Sequence, residues 1–184
     1  MRVEGRRNYL SVEVPADWAV GSLRQLDQID DDNRHLAEHF LLAEVAAVDA
    51  RAGGESTLVV SVRRPPAFTA EIIASTSGED VGEANVQLLR EAGVAQDSLS
   101  DVAPINVAQW ALRQIDVNGQ SVRCLEKSIL LRIDGDQARA DLTMLRTVYI
   151  PQPLAEIRVQ MFYRFREENQ KLPMMRVAVS SLRF

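Results

Sequence analysis

Apolar and polar residues alternate most regularly between Ile105 and Phe165. Four stretches carry the pattern, Val107–Val117, Val122–Ile133, Ala138–Ile150 and Glu156–Phe165. Asn118-Gly119, Asp134-Gly135 and Pro151-Gln152-Pro153 separate them. Asn-Gly and Asp-Gly accept positive φ at little steric cost, so the segment predicts an antiparallel β-meander. In its last stretch Ile157, Val159, Met161, Tyr163 and Phe165 share one face, and Arg158, Gln160, Phe162 and Arg164 share the other. The first set is the expected core face, packed by helices.

Earlier in the chain, Tyr9–Val14 alternates as a half-buried strand, ended by Pro15, with Trp18 on the turn that follows. Asp30-Asp31-Asp32-Asn33 places capping oxygens and negative charge ahead of Arg34–Leu42, which predicts a short helix there. Ala43–Ala50 reads as a strand or as a continuation of that helix, with the strand preferred. Gly53-Gly54 predicts a turn, and the β-branched run Thr57–Arg63 a second strand. Phe68–Ala74 is helical by pattern, and Ser75–Gly82 reads as a polar loop. Glu83–Ala92 is a helix with Gly93 as its stop, and Ala95–Pro104 is a loop. Leu172–Leu182 predicts a closing helix, with Pro173 in its first turn.

A length of 184 residues fits one domain spanning residues 1–184, large enough to bury a core without metals or disulfides. The net charge of −5 argues against a nucleic-acid partner, which calls for a basic surface. No apolar run reaches the ~18 residues of a membrane span, so no membrane insertion is expected. Met1–Arg7 is charged without a following apolar stretch, so no signal peptide is expected; with a single cysteine, Cys124, this points to a cytoplasmic protein. Only Lys127 and Lys171 are lysines among 21 basic residues, an arginine bias that suggests a GC-rich bacterial source.

Candidate chemistry is sparse. His35-Leu36-Ala37-Glu38-His39 spells H-x-x-E-H, in which two imidazoles four residues apart on a helix can share a metal with Glu38 as base. The same residues also fit the solvated face of a helix whose Leu36 and Phe40 point inward. A third ligand is required, and Glu83 and Glu91 are candidates. Asp30–Asp32 lacks the spacing of a calcium loop. Cys124 on a strand reads as a small buried hydrophobe. Ser77–Asp80 and Ser98–Asp101 have the form of loop or cap signals. Trp18 reads as a buried anchor or as a ring on which a ligand stacks. Arg158, Phe162 and Arg164, with Arg166 and Trp110, form a mixed arginine and aromatic surface. Such residue types favour partner binding, although arginine stems also serve simply to cover a sheet. No phosphate loop, dinucleotide fingerprint or nucleophile elbow occurs, and no cofactor is implied.

Three short motifs add a resemblance. They are the Pro-x-x-Trp turn in Val12-Glu-Val-Pro-Ala-Asp-Trp18, the Val-x-Gly turn Val117-Asn-Gly119 and the closing Val179-Ser-Ser-Leu-Arg-Phe184. In this order they resemble the PsbP-like superfamily, and within it bacterial proteins of the LpqN and DcrB type. The LpqN-type lipoproteins carry a signal peptide and a lipidated cysteine, which this sequence does not match. The resemblance implies an α+β fold, an antiparallel sheet flanked by helices as an α/β/α sandwich. It also implies a non-enzymatic adaptor or chaperone that binds a protein partner, such as a secreted or toxin client, with a homodimer as a further option. Trp110, Arg158, Phe162 and Arg164 are then the expected contact residues. The competing expectations are a small-ligand-binding domain with a pocket beside Trp18 or Trp110, and a zinc-dependent hydrolase built on His35, Glu38 and His39.

Overall fold

The computed structural model describes residues 1–5, 10–21, 41–49, 56–98, 107–132 and 142–184. In chain order its elements are β1 (Arg2–Glu4), β2 (Ser11–Glu13), β3 (Trp18–Gly21), β4 (Leu41–Asp49) and β5 (Thr57–Arg63). Helices α1 (Ala70–Ser75) and α2 (Gly78–Ser98) follow. Then come β6 (Val107–Val117), β7 (Gln120–Arg132), β8 (Leu142–Pro151), β9 (Glu156–Arg164), a 3-10 turn (Phe165–Glu167) and α3 (Glu168–Ser180). The strands β3 to β9 make a seven-stranded sheet in the order β3-β4-β5-β9-β8-β7-β6, antiparallel throughout. Helices flank it, so the fold class is α+β.

The meander follows from its turns and its period. Asn118 and Gly119 take φ of 53° and 77°, the pair of positive values that lets a two-residue turn match the strand twist. Alternation in β9 then sends Ile157, Val159, Met161 and Tyr163 to one face, all fully buried. Val45, Leu58, Val60, Val148 and Ile150 join them across the sheet. Each such side chain withdrawn from water contributes about 1.5–3 kcal/mol. Helix α3 closes this face through Met175, Ala178 and Val179, together with Leu10, Val12, Val14 and Trp18 from the N-terminal strands. On the opposite face Phe68, ahead of α1, packs against Trp110 and Tyr149, with Ile72, Val81 and Ala84 of α1 and α2 nearby.

Several boundaries differ from the sequence expectations. Strand β4 confirms the strand preference for Ala43–Ala50 but starts at Leu41, so the last two residues expected in the Arg34–Leu42 helix are strand. Trp18 opens a strand rather than sitting on the turn. Ser75–Gly82 is not a loop. Ser77 Oγ accepts from the Asp80 N–H at 3.1 Å, and Asp80 Oδ2 accepts from the Ser77 N–H at 2.6 Å. This reciprocal capping box starts α2 at Gly78. The helix then runs through Gly93 to Ser98, so Gly93 is no stop and the first residues of Ala95–Pro104 are helical. Among the described residues Gly119 is the glycine at positive φ, and a glycine inside a helix costs only about 1 kcal/mol. Helix α3 begins four residues before Leu172, which moves Pro173 beyond the first turn. Phe165 leaves the core face because the 3-10 turn begins there, and its ring is exposed.

Candidate functional site

Pleat alternation puts one arginine where an apolar residue belongs. Arg146 lies on the same face of β8 as Met144, Val148 and Ile150, and is largely buried. Glu126 meets it from β7, on the face of Cys124. Arg146 Nη1 donates to Glu126 Oε1 at 2.5 Å and to Ser128 Oγ at 3.2 Å. Its Nε donates to the Tyr163 hydroxyl at 2.7 Å, and its Nη2 to Glu168 at the start of α3. Burial disfavours the guanidinium charge, but Tyr163, Glu126 and Glu168 outweigh it and raise the Arg146 pKa. Burial likewise pushes the Tyr163 phenol above its ordinary value, with Arg146 opposing. Arg113 Nε adds a longer bond to Glu126 at 3.3 Å.

This network floors a cleft of about 440 Å³ between α3 and the β6–β8 end of the sheet. Leu172, Met175, Arg176 and Val179 line its helix side, spaced three and four apart so that they share one face. Ile115 and Val148 supply apolar floor between the charges. The Arg113 side chain is half exposed at the mouth. Arg176 is exposed there too, and its side chain pairs with nothing among the described residues. The cleft therefore offers apolar area, a compensated charge network and, at its mouth, the Arg176 guanidinium beside an Arg113 that bonds Glu126 through Nε. Sequence reading missed it, although Arg146 and Glu126 break the apolar alternation of β8 and β7. A charge on a core face was the legible signal.

Trp110, Arg158, Phe162 and Arg164 all lie on the other face of the sheet, as the register of β6, β8 and β9 requires. Trp110 and Arg158 meet through Tyr149. The Trp110 and Tyr149 ring centroids are 5.8 Å apart, and the Arg158 guanidinium carbon lies 5.4 Å from the Tyr149 ring centroid. Phe68 packs edge-on against both rings, and Arg158 is ion-paired with the fully buried Glu156. Phe162, beside Leu145, is the one of the four whose ring reaches solvent substantially, at 37% exposure. Arg164 lies one row further along, opposite Thr143. A smaller cavity of about 170 Å³ adjoins Trp110, bounded by Phe68, Ile72, Val81, Ala84 and Leu125.

Trp18 is buried, with its ring 5.4 Å from Lys171 Nζ, and anchors the strand end. Cys124 is fully buried, and burial pushes its thiol up to about 12, so it behaves as a core residue. The motif His35, Glu38 and His39 lies outside the described residues, as does Asp30–Asp32. Among the described residues no group of three His, Cys, Asp or Glu side chains is placed to hold a metal. No described helix is long and apolar enough to cross a membrane.

No family model matches the chain, and no curated protein does. Similar solved structures include the Ran-binding protein Mog1p of Saccharomyces cerevisiae, at 12% identity with a TM-score of 0.46, covering 100% of this chain and 94% of that one. They also include the cyanobacterial PsbP (CyanoP) of Synechocystis, at 12% identity with a TM-score of 0.43, covering 100% of this chain and 91% of that one. No sequence relative of the LpqN or DcrB type accompanies them.

Proposed function

We propose that this chain is a non-enzymatic binding module that holds a protein partner in the cleft between α3 and the β6–β8 end of the sheet. The role is that of a cytosolic adaptor or chaperone, with a secreted protein as the client class. The observation that carries the reading is the make-up of the cleft. Its buried charges are already neutralised by one another, whereas its mouth offers unspent arginine donors beside Leu172 and Met175. Apolar area rimmed by arginine is what a protein interface uses, since the first drives association and the second sets orientation. Glu126 is committed to two arginines and Cys124 is sealed in the core, so neither is poised as base or nucleophile.

A second reading places the partner on the opposite face, where the exposed Phe162 ring lies with Arg164, Arg158 and Trp110. A photo-crosslinking residue placed at Gln114, on the cleft rim, or at Phe162 separates the two in the native host. Crosslinks to one protein from Gln114 and none from Phe162 are expected. The converse pattern moves the site to the Phe162 face, and no crosslink from either position overturns partner binding.

A further inference from the structure

Helix α2 packs against β6, and the cleft reaches that strand from Arg113 to Asp116. Among the described residues β6 is the last strand of the sheet and pairs with β7. At Trp110 its outer edge is already occupied. The Asn85 side chain of α2 accepts from the Trp110 N–H at 2.6 Å and donates to its carbonyl at 2.9 Å, imitating a neighbouring strand. The outward peptide groups of an antiparallel edge recur at every second residue, so Leu112, Gln114 and Asp116 also turn theirs outward. No hydrogen bond among the described residues takes up the outward groups of Leu112 and Gln114. The cleft is lined by Arg113 and Ile115 from one pleat face and by Gln114 and Asp116 from the other, so it wraps around this edge.

We propose that the partner supplies an extended acidic segment, which adds as a strand to β6 along Leu112–Asp116; this rests on the cleft reading above. Main-chain hydrogen bonds to Leu112 and Gln114 give the docking its register. Alternate side chains of the segment then point into the cleft, one apolar against Leu172 and Met175 and one carboxylate against Arg176 and Arg113. Arg176 and the Nη groups of Arg113 supply guanidinium donors at the mouth, and paired N–H bonds of this kind fit a carboxylate. A second copy of this chain is a poorer occupant, because two β6 edges side by side would bring both copies of Arg113 onto one face of adjoining strands.

The probe is a fluorescein-labelled decapeptide alternating Val and Asp, compared by anisotropy with its Val-Lys counterpart and with a form N-methylated at alternate residues. The acidic peptide should bind, and the other two should bind at least about tenfold more weakly. Arg176→Glu, at an exposed helix position, should weaken the acidic peptide by about tenfold and favour the lysine form. The Leu112 and Gln114 amides should gain exchange protection on binding. Equal binding of the N-methylated peptide, indifference to Arg176→Glu, or unprotected amides at both positions overturns the proposal. Self-association through Gln114, seen by sedimentation and abolished by Arg113→Glu, overturns it in favour of a second copy. If a protein crosslinks at Gln114 while no acidic peptide binds, the strand inference falls and the cleft reading remains. If both results are negative, both fall.

Discussion

Lys171 Nζ lies 2.6 Å from Asp49 Oδ2, with side-chain exposures of only 2% and 8%. This buried ion pair ties α3 to β4, the two elements that bracket the core face. Glu167 stands one helical turn back at 3.7 Å, and the Trp18 ring covers the ammonium from the strand end. Two charges taken out of water recover that cost only while both are present. Lys171→Met should therefore lower stability by about 3 kcal/mol, because it removes the ammonium that lies against the buried Asp49 carboxylate. The double variant Lys171→Met/Asp49→Leu should recover most of that loss. Urea midpoints of the single and double variants check this, and additive losses would show that the pair is not coupled.

Asn85 makes the corresponding tie at the far edge of the sheet. Its amide satisfies both main-chain groups of Trp110, which face away from the partner strand β7. Asn85→Leu fills similar volume but removes both bonds, and should cost about 1–3 kcal/mol. Hydrogen exchange at the Trp110 amide should accelerate in this variant more than exchange at Leu125, on β7, one strand in from the edge. Uniform acceleration at both sites would mean that the bond serves global stability alone.

The capping box gives α2 a pH dependence. Hydrogen bonds from the Ser77 N–H, and then from its side chain, lower the Asp80 pKa below the ordinary carboxylate value. A carboxylate depressed in the folded state adds stability that is present above its unfolded pKa and lost as pH falls through the folded one. The stability gap between the wild-type chain and Asp80→Asn should thus be present at neutral pH and close as the solution is taken below about pH 4. A gap that stays constant to pH 2 would show that the amide and carboxylate cap the helix equally.

Much of this arrangement was legible in the chain because it depends on local chemistry. The Asn118-Gly119 turn, the β5 bounds and the two faces of β9 follow from positive-φ tolerance, β-branching and a period of two. The start of α2 was also encoded, since Ser77 and Asp80 spell its cap. Gly78 inside that signal and Gly82 just after it have low helix propensity, which gives the stretch the look of a loop. The reciprocal hydrogen bonds between Ser77 and Asp80 decide against a loop. Neither glycine takes a positive φ, and a side chain at either would meet nothing within 4 Å. The cleft was harder to see. Arg113, Glu126, Arg146 and Glu168 are 55 positions apart from first to last in the numbering and converge only through sheet register and the docking of α3. Periodicity shows that Arg146 is out of pattern, but not which carboxylates will meet it.

Alkaline pH should act on the core itself. Burial raises the Cys124 thiol to about 12, and it also raises the Tyr149 and Tyr163 phenols, the latter against the pull of Arg146. In the unfolded chain these groups lose their protons at ordinary values, whereas in the folded chain they hold them to higher pH. Between the two pKa values the folded state binds more protons than the unfolded state, so stability falls as pH rises. For Cys124 that window runs from about 9 to about 12. Two measurements follow. The thiol should resist a disulfide reagent at pH 8 under native conditions and react at once in urea, since a thiolate is the reacting species. Cys124→Ala should flatten the fall in stability above pH 9, at the cost of a cavity in the core. Rapid native labelling of Cys124 would contradict its burial in the core.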